Sequence, residues 1–199
     1  MKITLTALDQ SLFDAFSEAC GELPDVEIFL GSILEVRCDA IVSPANSFGF
    51  MDGGVDAIYK SHFENDVELE VRRAIWNEFR GELPVGCAVA VTTGDASFPY
   101  LIAAPTMRIP MKLEPTTVNP YLAARAALIA AQTHPDINAI AFPGMGTGIG
   151  RVTGSNCARQ VKEAIRAIVG GENRMPQSWA EASETHQLLY GATPRDLQR

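Results

Sequence analysis

One stretch constrains this chain more than any other: Asp39-Ala40-Ile41-Val42-Ser43-Pro44-Ala45-Asn46-Ser47-Phe48-Gly49-Phe50-Met51-Asp52-Gly53-Gly54-Val55-Asp56. A short apolar run, Ala40 to Val42, stops at Pro44. A polar, glycine-rich loop carrying Asn46 follows, and a helix begins near Gly53. A strand this short and apolar is buried on both faces. Strand, loop and helix N-terminus in that order is how an α/β protein holds a phosphorylated ligand beyond the carboxyl end of its sheet. A second glycine-rich loop, Gly144 to Gly150, follows another apolar run. The two loops are expected to face one another.

The rest of the chain alternates strands and helices. Residues 2–8 alternate with period two and read as a half-buried strand. Asp9 offers a helix cap, and Leu12, Phe13, Phe16 and Ala19 follow at helical spacing as far as Gly21. Strands are expected at 26–30 and 39–43, then helix from Gly53 to Phe79 with a break near Glu64-Asn65-Asp66. Residues 86–92 and 99–104 read as two strands joined by a turn at 94–97. After a proline-rich connection, Asn119 and Pro120 predict the N-cap and first residue of a helix reaching Thr133. A strand over 137–142, the Gly144–Gly150 loop and a helix from Ser155 to Val169 complete the pattern.

Interleaving of this kind predicts an α/β fold with helices on both faces of the sheet. The succession 26–30 then 39–43, with no full helix between, predicts a mixed sheet. One domain is expected over 1–171. A C-terminal extension follows over 172–199, with one helix around Trp179 to Leu189, packed on the domain or partly ordered.

Composition narrows the function. Hydrophobic residues make up 47% of the 199 and charged ones 20%, ordinary for a globular domain with a real core. No apolar run approaches the roughly 20 residues of a membrane span, and the N-terminal strand lacks the marks of a signal peptide. A cytoplasmic protein without a membrane partner is expected. Net charge is −8 with no Lys/Arg cluster, which argues against duplex nucleic acid. An anionic small ligand remains compatible, because backbone N–H groups at a helix N-terminus hold phosphate without side-chain charge. Cys20, Cys38, Cys87 and Cys157 and the three histidines are dispersed, with no metal-ligand spacing. Neither metal nor cofactor is expected.

In Gly144-Met145-Gly146-Thr147-Gly148-Ile149-Gly150, alternate glycines allow sharp turns and close approach of a ligand to the backbone. Successive N–H groups in such a loop make an anion-binding concavity. The loop is not a dinucleotide fingerprint: the third glycine of GxGxxG falls on Ile149 or Arg151, depending on the start. It is not a P-loop either, lacking GxxxxGK[ST]. In the first loop, Asn46 offers a donor and an acceptor suited to neighbouring sugar hydroxyls. Gly53 and Gly54 supply unpaired N–H groups at a helix start. Asp56 sits in the first helical turn. Two readings of it stand: a charge that stabilises the helix N-terminus, or a functional carboxylate.

At this point the residues resemble a known family, the macro domains. Asp39–Asn46 (DAIVSPAN), then Gly53-Gly54-Val55-Asp56, then Ala141-Phe142-Pro143 with the glycine loop, are similar to DAIVNAAN, GGGVD and a strand ending in a phosphate loop S-x-G-[IV]-[YF]-G. Gly31-Ser32-Ile33 stands where the family has Gly-Asp-Ile. The resemblance covers about 25–170, and the ten-residue step from Asn46 to Asp56 equals that of the MacroD-type hydrolases. It implies a three-layer α/β/α fold with a mixed central sheet and an ADP-ribose pocket. Ser32, Ile33, Ala45, Asn46, Gly53, Gly54, Val55, Gly146, Thr147, Gly148, Ile149 and Gly150 would contact the ligand. Asn46 would meet the distal ribose, and Asp56 would orient or activate water at its anomeric carbon.

Three departures accompany the match. Ser32 replaces the acid that reads the adenine amino group, which predicts weaker or altered base selectivity. Gly150 replaces the loop aromatic that packs on the distal ribose. Phe48 or Phe50 could fill that space, or either could pack the loop. Asp52 replaces the first glycine of GGGVD and adds charge near the diphosphate. Arg108, after a strand end, either reaches the pocket or fixes the proline-rich connection from the surface, and Thr106 shares that ambiguity. The implied partner is ADP-ribose or an ADP-ribosylated protein. The expected activity is hydrolysis of mono-ADP-ribosyl protein or a related ester. The alternatives are a non-catalytic reader and an ADP-ribose 1″-phosphate phosphatase.

Overall fold

A computed structural model of the chain describes residues 1–63 and 66–193. In chain order it contains β1 (Lys2–Ala7), α1 (Gln10–Cys20), β2 (Val26–Leu30), a 3-10 turn (Ile33–Glu35), β3 (Ala40–Ser43), α2 (Gly54–His62) and α3 (Val67–Phe79). There follow β4 (Val89–Thr92), β5 (Tyr100–Ala103), α4 (Asn119–Thr133), β6 (Ala139–Phe142), α5 (Gly154–Ile168) and α6 (Trp179–Leu188). Local chemistry sets most of these boundaries. Asp9 caps α1, its carboxylate accepting the Leu12 N–H at 3.0 Å. Asp66 caps α3 in the same way through Leu69 N–H at 3.0 Å. Glu64 and Asn65, on which the expected break falls, lie outside the described residues, as do 194–199 of the C-terminal extension.

Two strands begin at least two residues later than their apolar character predicts, at Val89 rather than Gly86 and at Ala139 rather than Ile137. Turns occupy the difference: Cys87 N–H bonds Pro84 O at 3.0 Å, and Ile137 N–H bonds His134 O at 3.3 Å. The expected cap of α4 is also corrected. Val118 takes the N-cap position with no side-chain bond, and Asn119 is already helical. The Asn119 amide is used elsewhere, donating to Thr106 O at 2.8 Å and tying the proline-rich connection to the helix start.

The six strands lie in the order β2-β1-β6-β3-β5-β4. The sheet is mixed as expected, but not for the reason anticipated. β2 and β3 are not neighbours. The antiparallel pair is β4 with β5, and the other pairings are parallel. Alternate strand residues feed two cores. Ala40, Val42, Ile102, Ile140 and Phe142 face α1, α4 and α5, packing with Phe16, Leu128 and Val161. Ile41, Leu101, Ala103 and Ala141 face α2 and α3, packing with Tyr59, Val71 and Ile75. This is the three-layer α/β/α arrangement. Among the described residues no helix is long and apolar enough to cross a membrane.

Candidate functional site

The loops leaving the carboxyl ends of β1, β2, β3 and β6, together with the connection after β5, enclose a cavity of about 800 Å³. That is within the size range of small-ligand sites, at the sheet edge where parallel α/β proteins place them. Ser32, Ile33, Ala45, Asn46, Gly53, Gly54, Val55, Asp56 and the whole of Gly146–Gly150 line this one cavity, and so does Phe50. Phe48 and Arg108 do not.

The two glycine loops meet across the opening. A Cβ placed on Gly53 would lie 3.7 Å from Ile149 Cδ1. Gly53 is the N-cap of α2 and no side chain caps the helix, so the first-turn N–H groups are free of side-chain acceptors. Opposite them, the second loop is closed by Val152 N–H to Gly146 O at 3.1 Å and Arg151 N–H to Gly148 O at 3.2 Å. Gly146 takes the left-handed conformation this turn requires, with φ of 72°. A Cβ on Gly148 would meet nothing within 4 Å, so that glycine opens directly on the cavity.

Asp56 combines burial with a place on the wall. Its residue is only 7% exposed, and Ser43 Oγ donates to its Oδ1 at 2.5 Å. Burial favours the neutral acid and pushes its pKa from 3.8 to about 7, while the Ser43 hydrogen bond pulls the other way. A carboxyl titrating there can take or give a proton near neutrality. Asn46 is committed in part to its own loop. Its Oδ1 accepts from Phe48 N–H at 3.1 Å and Phe50 N–H at 3.3 Å, and its Nδ2 donates to Phe50 O at 2.8 Å. The loop is further pinned by Ser47 N–H to Arg108 O at 3.1 Å and Leu83 N–H to Ser47 O at 2.8 Å.

Each unusual residue has a local explanation. Asp52 lines the cavity, and Lys60 Nζ, which it shares with Glu68, lies 2.8 Å from its carboxylate and offsets part of its charge. Gly150 has no room for a side chain: a Cβ there would come within 2.5 Å of Gly146 O. Phe50, on the cavity wall, carries the Arg72 guanidinium 4.4 Å above its ring. Phe48 instead stacks under Arg108, whose guanidinium binds Glu82 at 2.7 and 3.1 Å. Arg108 is the surface arginine of the two readings. Thr106 is buried on the cavity wall, its hydroxyl donating to Pro44 O at 2.9 Å.

The sequence reading missed several lining residues, Ile58, Met107 and Pro110 among them, and with them a whole segment at the β1–α1 junction: Thr6, Leu8, Asp9 and Leu12 also line the cavity. The matched motifs begin after this segment. The signal that could have found it is the rule that ligands bind beyond the carboxyl ends of parallel strands. Among the described residues no His, Cys, Asp and Glu group is placed to hold a metal ion. Burial pushes the Cys20, Cys38 and Cys157 thiols up to about 12, which leaves them inert.

With this geometry in place, the chain can be set beside known proteins. Residues 42–161 match the family model described as Macro domain. An uncharacterized protein of Aquifex aeolicus is 37% identical over 142 residues, spanning 71% of this chain and 81% of that protein. A macro domain-containing protein of Streptomyces coelicolor is 29% identical over 151 residues, spanning 70% of this chain and 82% of that protein. Among solved structures, a mutant Oceanobacillus iheyensis macrodomain with ADPR aligns with a TM-score of 0.61 at 19% identity, over 80% of this chain and 86% of that one. The macrodomain of Thermus aquaticus DarG aligns with a TM-score of 0.59 at 23% identity, over 70% and 89%. These structural likenesses speak to the fold.

Proposed function

This chain belongs to the macro domain family, and we propose that its cavity binds ADP-ribose and hydrolyses mono-ADP-ribosyl protein or a related ester. The carrying observation is the uncapped N-terminus of α2 facing the Gly146–Gly150 loop, with the Asp56 carboxyl at the same wall. The diphosphate lies between the N–H groups of Gly53–Val55 and those of Thr147–Ile149, a cradle that needs no cation. The ADPR in the Oceanobacillus iheyensis macrodomain supports this choice of ligand. The distal ribose then reaches Asn46, whose Nδ2 keeps one N–H beyond the bond to Phe50 O. Phe50, rather than a residue of the second loop, supplies the ring beside that ribose.

The chemistry follows from Asp56. As a carboxylate it takes a proton from a water attacking the anomeric carbon. The new C–O bond forms as the bond to the modified side chain breaks, and the electron pair leaves with that side chain. The products are free ADP-ribose and the restored protein residue. A second reading, a reader without turnover, is favoured by one observation: the Asn46 carbonyl oxygen and one Asp56 oxygen are already occupied by internal donors.

Two measurements separate these readings. Thermal melts with ADP-ribose, NAD, AMP and ATP test the pocket, and no shift with ADP-ribose sinks it. Gly148→Glu abolishes the shift, because its side chain has space to enter the cavity and carries a carboxylate into the diphosphate site. For turnover, Asp56→Ala retains the ADP-ribose shift but loses release from a modified protein. Wild type that binds yet releases nothing from Asp/Glu-, Ser- or Arg-linked substrates is a reader, and cleavage of ADP-ribose 1″-phosphate alone marks a phosphatase.

A further inference from the structure

We propose that Asp9 selects the nucleobase of the ligand, its free carboxylate oxygen accepting a hydrogen bond from the exocyclic amino group of adenine. The inference rests on the ADP-ribose reading of the cavity and goes beyond it by naming the specificity determinant.

The position follows from strand register. β1 and β2 run parallel with Ala7 opposite Leu30, and Gly31 N–H bonds Ala7 O at 2.9 Å. Asp9 and Ser32 each stand two residues beyond that pair, at the carboxyl ends of adjacent strands, and both line the cavity. Only one of them can tell an amino group from a carbonyl. A hydroxyl donates or accepts as required, and the Ser32 oxygen already accepts Leu34 N–H at 3.3 Å to cap the 3-10 turn. An ionised carboxylate accepts only, so it favours the amino group of adenine and opposes the 6-oxo group of hypoxanthine.

Asp9 is also held in place. Its Oδ1 accepts Leu12 N–H at 3.0 Å as the cap of α1, which fixes the carboxylate plane. Oδ2 has no partner among the described residues. Leu8, Leu12 and Ile33 flank the two polar residues and offer apolar surface to the faces of a base. The acid absent at Ser32 is thus supplied from the adjacent strand end.

The test is calorimetric titration of wild type and Asp9→Asn with ADP-ribose and with its hypoxanthine analogue, inosine diphosphate ribose. Asparagine caps a helix as well as aspartate does, so α1 and the melting temperature are retained. With its single oxygen held by the Leu12 N–H, asparagine presents only amide N–H groups to the base, which oppose the adenine amino group and suit the 6-oxo group. Wild type is expected to prefer ADP-ribose by about tenfold, the scale of one charged hydrogen bond. Asp9→Asn is expected to reverse that preference, with inosine diphosphate ribose binding the more tightly. A preference that survives Asp9→Asn overturns the proposal, as does an equal loss of both ligands. Wild type that binds both nucleotides equally also overturns it while leaving the cavity assignment intact. Failure of wild type to bind either one removes the cavity assignment itself.

Discussion

A carboxyl group moved from water to a buried wall is easier to protonate, and Asp56 shows the effect with a pKa of about 7 in the folded chain. Below the ordinary value of 3.8 the group is neutral in both states. As pH rises from there through about 7, the unfolded chain ionises first, so stability is progressively lost. Asp56→Asn is therefore expected to melt close to wild type near pH 4 and above it at pH 8. The gap should reach on the order of a few kcal/mol in denaturant titrations. A pH-independent difference would refute this origin. Asp56 and Asn46 were legible because a fixed spacing carried both onto one loop and one helix turn. Asp9 was not, because its role as a helix cap already accounted for it. Nothing local reveals that the strand it ends lies beside Ser32.

At the scale of elements, the second glycine loop explains its own composition. Its turn puts Gly146 O where a side chain on Gly150 would begin, with Leu113 and Met107 closing the remaining space. Gly150→Tyr, which restores the aromatic found elsewhere in the family, is expected to destabilise by about 1–3 kcal/mol through overpacking. It should weaken the ADP-ribose melt shift rather than strengthen it. An unchanged unfolding midpoint would show that the loop opens freely. The elements themselves were readable wherever periodicity and caps agreed, as in β1, α1 and β3. Asn119 misled because an Asn-Pro pair satisfies the cap pattern, whereas its amide is drawn to Thr106 O by a contact distant in sequence. Phe50 and Phe48 could not be told apart from one loop. Their partners, Arg72 on α3 and Arg108 after β5, separate them in space.

For the molecule as a whole, the proposed hold on an anion by backbone donors gives a chain of net charge −8 an unusual salt response. Lowering ionic strength from 0.15 M to 0.01 M lengthens screening from about 8 Å to about 30 Å and exposes the ligand to the acidic surface. ADP-ribose is expected to bind about two- to threefold more weakly at the lower salt. Affinity that instead rises as salt is removed would mean that a cationic side chain, not the backbone, carries the anion. Fold class was legible from the alternation of elements, but strand order was not, since Lys2–Ala7 reads as half-buried with no mark of a central place. That order bears on how the chain acquires its shape in time. β6 is the strand that joins two otherwise separate groups, β2-β1 on one side and β3-β5-β4 on the other. Both groups are synthesised before it, and its pairing of Ala139 with Lys2 spans most of the chain. Contacts so distant in sequence form slowly. The Asn46 loop and the β1–α1 junction stand on either side of Ala139–Phe142, so the cavity they share is complete only once that last strand has paired with both groups.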